Sequence, residues 1–190
     1  MSTGASATYA SLSVDDYLRK EQQSDIRHEY IGGEIYAMAG ASAAHNLITG
    51  NLFAGLHQHL AGGPCQVFVS DMKLRLGIAE ETIFYYPDIM VCREAADRKR
   101  YFREEPKIIV EVLSESTVRI DRREKLLAYR RILSLHEYVL VEQDCTKATL
   151  FRRAGEWKPV LLQAGDELQL QSVDFSMTVN ALYAGVEIEH

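Results

Sequence analysis

The sequence predicts an α+β domain, a mixed β-sheet with helices packed against it. Two observations carry that reading. Short runs rich in β-branched and apolar residues, at 87–92, 107–113 and 136–142, read as buried strands. Around them lie segments of helical spacing: Leu47, Ile48, Leu52, Phe53, Leu56 and Leu60 in one, and residues 120–132 in another.

In chain order, residues 1–10 are small and polar and are expected to form a loose arm. Ser13-Val14-Asp15-Asp16 has the form of an N-cap with an acidic first turn, opening a helix that carries Tyr17 and Leu18. His28 to Met38 alternates around Gly32-Gly33, the pattern of a β-hairpin whose turn requires positive φ. The long amphipathic helix at 43–60 stops at Gly62-Gly63-Pro64. Residues 66–76 then read as one strand, with Val67, Val69, Asp71, Lys73 and Arg75 on one face and Phe68, Met72, Leu74 and Leu76 on the other. A second hairpin is expected at 149–162, turning through Ala154-Gly155-Glu156. No repeat or linker divides the chain, so 1–190 is expected to be one domain.

With 190 residues, 47% of them hydrophobic, the chain can build an ordinary core. A net charge of −6 argues against a broad basic surface, although Arg/Lys-rich runs at 93–103 and 119–131 flank two of the strands. No apolar run approaches the ~20 residues of a membrane span. Residues 1–7 lack the charged and apolar regions of a signal peptide. Cys65, Cys92 and Cys145 are odd in number and contain no Cys-x-x-Cys pair. These features lead to the expectation of a cytoplasmic protein with neither disulfides nor structural zinc.

Two carboxylates stand inside the apolar strands: Asp88 in Tyr86-Pro87-Asp88, and Glu111 in Ile108-Ile109-Val110-Glu111-Val112-Leu113. An ionised carboxylate in such surroundings costs several kcal/mol unless a cation, metal or set of donors compensates. If the strands are neighbours, Asp88 (with Met90 and Cys92) and Glu111 (with Ile109 and Leu113) can converge near the strand ends. A magnesium ion, which takes one or two carboxylates and fills its other positions with water and substrate oxygens, suits such a pair.

Pro87-Asp88 followed by Glu111-Val112 resembles the PD-(D/E)XK nuclease superfamily of restriction-endonuclease-like folds. Glu111-Val112-Leu113-Ser114-Glu115-Ser116-Thr117 with Asp121, Lys125 and Tyr129 is similar, more specifically, to the Uma-two family. Glu29-Tyr30-Ile31-Gly32-Gly33-Glu34, His45 and Glu137 to Val141 extend the likeness over most of the chain. The resemblance implies a restriction-endonuclease-like mixed β-sheet core flanked by helices, with an added N-terminal β-hairpin. It implies Asp88 and Glu111 as ligands of Mg²⁺ or Mn²⁺, with the carbonyl of Val112 as a third. The superfamily lysine belongs two residues after the Glu, where this chain has Leu113. Lys125 on the following helix, in an i, i+4, i+8 stripe with Asp121 and Tyr129, is the replacement the pattern offers, and Lys73 is a second candidate.

Each residue also has a plainer reading. Asp88 after a proline marks a strand entrance, Glu111 fits a buried pair with an arginine, and Lys125 fits a solvated helix face. His45, in phase with Ile48 and Leu52, reads as a structural histidine, and Glu29 and Glu34 as brackets of a turn. The functional expectation is a metal-dependent endonuclease hydrolysing phosphodiester bonds of DNA, dimeric if it cuts both strands. Arg98, Lys99, Arg100, Arg103, Arg119, Arg122 and Arg123 would form a cationic rim beside the acids. The alternatives are a catalytically silent nucleic-acid- or protein-binding member of the fold, and a hydrolase of small phosphate esters.

Overall fold

A computed structural model describes residues 11–93, 99–114 and 120–188, with side chains in the last segment from 123 onward. The expected loose arm at 1–10 lies outside the described residues.

Helix α1 (Val14–Glu21) is capped by Ser13, whose hydroxyl oxygen accepts the Asp16 amide, and carries Asp15 and Asp16 in its first turn. Strands β1 (His28–Ile31) and β2 (Glu34–Ala37) form the hairpin, with Gly32 and Gly33 at φ +56° and +105° in its turn. Ser42 caps α2 (Ala43–Leu60) by accepting the His45 amide. There follow β3 (Cys65–Val69), β4 (Lys73–Ile78), β5 (Glu81–Tyr85), β6 (Ile89–Arg93), β7 (Phe102–Arg103) and β8 (Pro106–Leu113). A π-helical turn (Ile120–Lys125) runs into α3 (Leu126–Tyr129). The chain closes with β9 (Glu137–Glu142), β10 (Lys147–Arg152), β11 (Pro159–Gln163), β12 (Glu167–Leu170), β13 (Phe175–Thr178) and α4 (Val179–Leu182).

The core is a mixed six-stranded sheet in the order β11-β10-β9-β8-β6-β3. Its β8–β9 pair is parallel, and the other neighbouring pairs are antiparallel. Parallel neighbours need a crossover connection. Here the crossover from β8 to β9 carries the π-turn and α3, and so brings Lys125 and Tyr129 back over the sheet. A second sheet, β2-β1-β5-β4-β7, incorporates the N-terminal hairpin.

Each face of the six-stranded sheet has its own core. On one, Ile89, Val91, Ile108, Val110 and Val139 pack against Ile48, Leu52 and Leu56 of α2 and against α4. On the other, Met90, Cys92, Ile109, Leu113 and Tyr138 meet Leu74 and Leu76 of β4, Tyr85 of β5, and Ala128 and Tyr129 of α3. Continuous burial on both faces explains why these strands read as apolar runs without alternation. The outer face of the second sheet packs on α1 through Tyr17, Tyr30 and Phe84.

Two expectations need correction. Residues 66–76 are two strands in different sheets, because the chain turns at Ser70, at φ +54°, and crosses from one sheet to the other. The face assignment across 66–76 falls with that break. The segment at 120–132 is a π-turn with one short α-helix, so regular 3.6-residue spacing does not run along its length.

Candidate metal and hydrolytic site

The strand register builds the acid pair. Ile89 pairs with Val110 at the start of β6, so one further antiparallel step sets Asp88 opposite Glu111. Alternation assigns Asp88 to the side of Met90 and Cys92, and Glu111 to that of Ile109 and Leu113. Those four apolar side chains share one core, and Glu111 meets Tyr129 and Lys125 there. Asp88 precedes β6, and its carboxylate meets His45 of α2, the helix packed on the opposite face. Asp88 is fixed by its surroundings: its Oδ2 accepts the Val112 amide at 2.6 Å, and its carbonyl accepts the Ser70 amide at 3.0 Å. His45, near the start of α2, brings Nε2 to 3.2 Å from the same Oδ2. The helix start is itself tied to the end of β9, where the Ser42 hydroxyl donates to Gln143 at 2.6 Å.

Glu111 is 3% exposed, and its charge is met from the crossover. Lys125 Nζ lies 3.2 Å from Glu111 Oε1, and the Tyr129 hydroxyl donates to the same oxygen at 2.8 Å. The i, i+4 relation of Lys125 and Tyr129 puts both on one helix face. The side chain of Asp121, third member of the expected stripe, lies outside the described residues. Lys125 also lies 3.2 Å from Glu29 Oε1 and 5.2 Å from the centre of the Tyr85 ring. Burial first, then the Glu111 charge, push the Tyr129 phenol well above the ordinary tyrosine range, so it stays a donor at neutral pH. Burial and Glu29 push Tyr85 up to about 12.

Glu29 was read from sequence as a bracket of the hairpin turn, and His45 as a structural histidine. The structure sets Glu29 on Lys125, beyond a turn bracket, and gives His45 a partner in keeping with a structural histidine, the Asp88 carboxylate. The available signal was their place in the stretches that resemble the family. Lys73 stands apart from this cluster. Leu74 and Leu76 of β4 face Tyr129, so Lys73 points to the opposite side of its sheet, 5.1 Å above the Tyr86 ring. Asp71 pairs with Arg27 at 3.1 Å.

The described members of the expected cationic rim do not form one unneutralised stripe. Arg103 is buried, stacked 4.5 Å from the Phe68 ring, and donates to the Lys99 and Phe102 carbonyls. Lys99 pairs with Glu104, which also holds Arg75. Arg100 and Arg123 are exposed. Arg98, Arg119 and the Arg122 side chain lie outside the described residues.

Among the described residues, no three His, Cys, Asp or Glu side chains gather as a metal cluster. Magnesium needs fewer, since it takes one or two protein carboxylates and fills its other positions with water and substrate oxygens. Two hard carboxylates opposite each other in the register suit that preference. Asp88, Glu111 and the Val112 carbonyl are the residues that would hold it.

The fold is shared with a solved structure. The structure superimposes on a crystal structure described as "a putative nuclease belonging to DUF820 from Anabaena variabilis", with a TM-score of 0.75, 14% identity, and coverage of 93% of this chain and 99% of that one. At that identity the likeness defines a nuclease-like fold. The family follows from sequence: residues 14–180 match the model for Uma2, "Putative restriction endonuclease", and the chain belongs to that family. Two uncharacterized proteins of Synechocystis sp. are similar along their lengths. One is 35% identical over 95% of this chain and 96% of its own, the other 39% identical over 79% and 85%.

Proposed function

We propose that the chain is a divalent-metal-dependent endonuclease that hydrolyses phosphodiester bonds of DNA, with Asp88 and Glu111 as its metal-holding acids and Lys125 as its lysine. The observation that carries this reading is the 3.2 Å approach of Lys125 to Glu111 from the crossover helix, which supplies an ammonium where Leu113 leaves none. A Mg²⁺ or Mn²⁺ ion held by Asp88, Glu111 and the Val112 carbonyl would supply a Lewis acid and an acidified water.

The chain's own groups then have separable tasks. Val112 N–H and His45 hold Asp88 in place from two directions. Tyr129 donates to Glu111 and holds its carboxylate in place. Lys125 offers a fixed positive charge that orients the attacking water or offsets charge on the phosphoryl oxygens in the transition state. Burial of this cluster excludes bulk water and strengthens each of these interactions.

The neutralised Lys99 and inward-turned Arg103, with the net charge of −6, favour a second reading: hydrolysis of a small phosphate ester that needs no long cationic track. Incubation of the wild-type protein with Mg²⁺ or Mn²⁺ and supercoiled, linear duplex and single-stranded DNA separates the two. Metal-dependent strand breaks support the endonuclease. Intact DNA with turnover of a small phosphodiester supports the second reading, and inertness toward both supports a silent binding protein.

A further inference from the structure

The N-terminal hairpin belongs to the second sheet, yet one of its side chains reaches the acid site. Glu29 is the middle of three consecutive residues of β1, and its neighbours are both anchored on the other face. The His28 amide donates to Glu21 Oε1 at 2.8 Å, and the His28 ring lies 3.1 Å from Glu21 Oε2. Tyr30 is buried against Tyr17 and Phe84, and its hydroxyl donates to the Leu12 carbonyl at 2.8 Å. With His28 and Tyr30 held on one side, alternation sends Glu29 to the other, where its Oε1 meets Lys125 at 3.2 Å. Lys125 is therefore shared between two carboxylates from two different sheets.

That sharing has a consequence for the proposed reaction. When Glu111 engages a divalent cation, its hold on a neighbouring ammonium weakens and the cation repels that ammonium. A buried lysine must then keep another anion or leave. Resting on the reading of Asp88 and Glu111 as metal ligands, we infer that Glu29 is the positioning residue for Lys125, keeping the ammonium beside the site while Glu111 serves the metal. The hairpin thus forms one wall of the site and is more than an appendage to the fold.

The test uses Glu29→Gln, which keeps size and removes charge, with Glu29→Asp as a second variant that keeps charge on a shorter stem. The first readout is the ¹⁵Nζ signal of Lys125, visible by NMR when its ammonium is held and exchanges slowly. In wild type it persists through Mg²⁺ saturation; in Glu29→Gln it is lost on adding Mg²⁺. The second is a double-mutant cycle in turnover at saturating Mn²⁺. Glu29→Gln lowers kcat about 30-fold alone, recovers partly as Glu29→Asp, and costs nothing more once Lys125→Ala is present. Calorimetry with Mn²⁺ finds binding retained in Glu29→Gln and lost in Glu111→Gln. A Lys125 signal indifferent to Glu29, equal losses in both backgrounds, or abolished Mn²⁺ binding in Glu29→Gln would each overturn the assignment. If wild type cuts no DNA the proposed substrate fails, and the NMR readout still decides what Glu29 does.

Discussion

Tyr85 and Tyr86 are neighbours in sequence, and each lies beneath a buried lysine, Lys125 at 5.2 Å and Lys73 at 5.1 Å from the ring centre. The two clusters are built of the same residue types on opposite faces of one sheet, but their carboxylates are used differently. Glu21 gives both oxygens to contacts that tie α1 to the hairpin and to Tyr86: the His28 amide, the His28 ring and the Tyr86 hydroxyl at 2.8 Å. Glu111 accepts from Lys125 and Tyr129 of the crossover and stands opposite Asp88 in the strand register. Burial of a Lys–Glu–Tyr set is therefore no mark of function by itself. What separates the two is a second acid in register and a lysine that is not a strand residue. The first cluster nonetheless serves the second, because holding His28 aims Glu29 at Lys125.

The largest expected effect is on Glu111. Replacing it by Gln should abolish Mn²⁺ binding in calorimetry and lower turnover about 1000-fold or more, because ligand and charge go together. Glu21→Gln should leave metal binding intact and show itself in thermal unfolding. If both variants bind metal equally, the division between the clusters is wrong.

Paired phenylalanine variants sharpen the comparison. Tyr129→Phe and Tyr86→Phe each remove one hydrogen bond to a buried carboxylate, costing about 1.5–3 kcal/mol in denaturant unfolding. Only Tyr129→Phe should also lower kcat, by about tenfold, since Tyr129 holds the Glu111 carboxylate in position. A kcat loss in Tyr86→Phe of the same size would mean that the structural cluster shapes the site directly.

Alkaline pH probes the phenols of both clusters. Burial raises Tyr17, Tyr85, Tyr86 and Tyr129, with Tyr85 at about 12. The native state therefore keeps protons that the unfolded chain gives up near pH 10. Stability should be full below that pH and fall above it by about 1.4 kcal/mol per pH unit for each such tyrosine. Lys73 acts with the opposite sign, because burial lowers its pKa despite Glu21. Its contribution rises between that lowered value and the unfolded value near 10.5, so it does not offset the loss at higher pH. Tyrosinate absorbance should appear together with unfolding in a pH titration; gradual ionisation of a folded protein would contradict the burial argument. The smallest effect is expected of Lys73→Met, which replaces a costly buried charge and should shift stability by about 1 kcal/mol or less in either direction.

How much of this was legible in sequence follows from where each signal lives. The cap at Ser13, the hairpin at Gly32-Gly33 and the bounds of α2 are local patterns, and the structure has them where they were read. Asp88 and Glu111 stand out because a charge in an apolar strand is conspicuous without any knowledge of the fold. The break at Ser70 carried only a weak mark: Ser70-Asp71 is a turn-favouring pair, but it sits inside an alternating run and has neither the Gly nor the Asn that usually announces a positive φ. The second sheet was missed with it. The C-terminal β12, β13 and α4, which complete the core over α2, also gave no reading. Glu29 and His45 were locally ordinary, one at a hairpin and one on an amphipathic helix. Their partners, Lys125 and Asp88, are distant in sequence, and only the tertiary fold brings them together.

Lys125, and not Lys73, is the proposed replacement for the lysine missing at Leu113. The most direct test is metal-dependent DNA cleavage by wild type, Lys125→Ala and Lys73→Ala at matched folded concentration, with Mn²⁺ binding measured on the same samples. The expected result is a loss of about 100-fold or more in turnover for Lys125→Ala with Mn²⁺ binding retained, and near-wild-type turnover for Lys73→Ala. Cleavage by Lys125→Ala at the wild-type rate, with Lys73→Ala inactive, would contradict it.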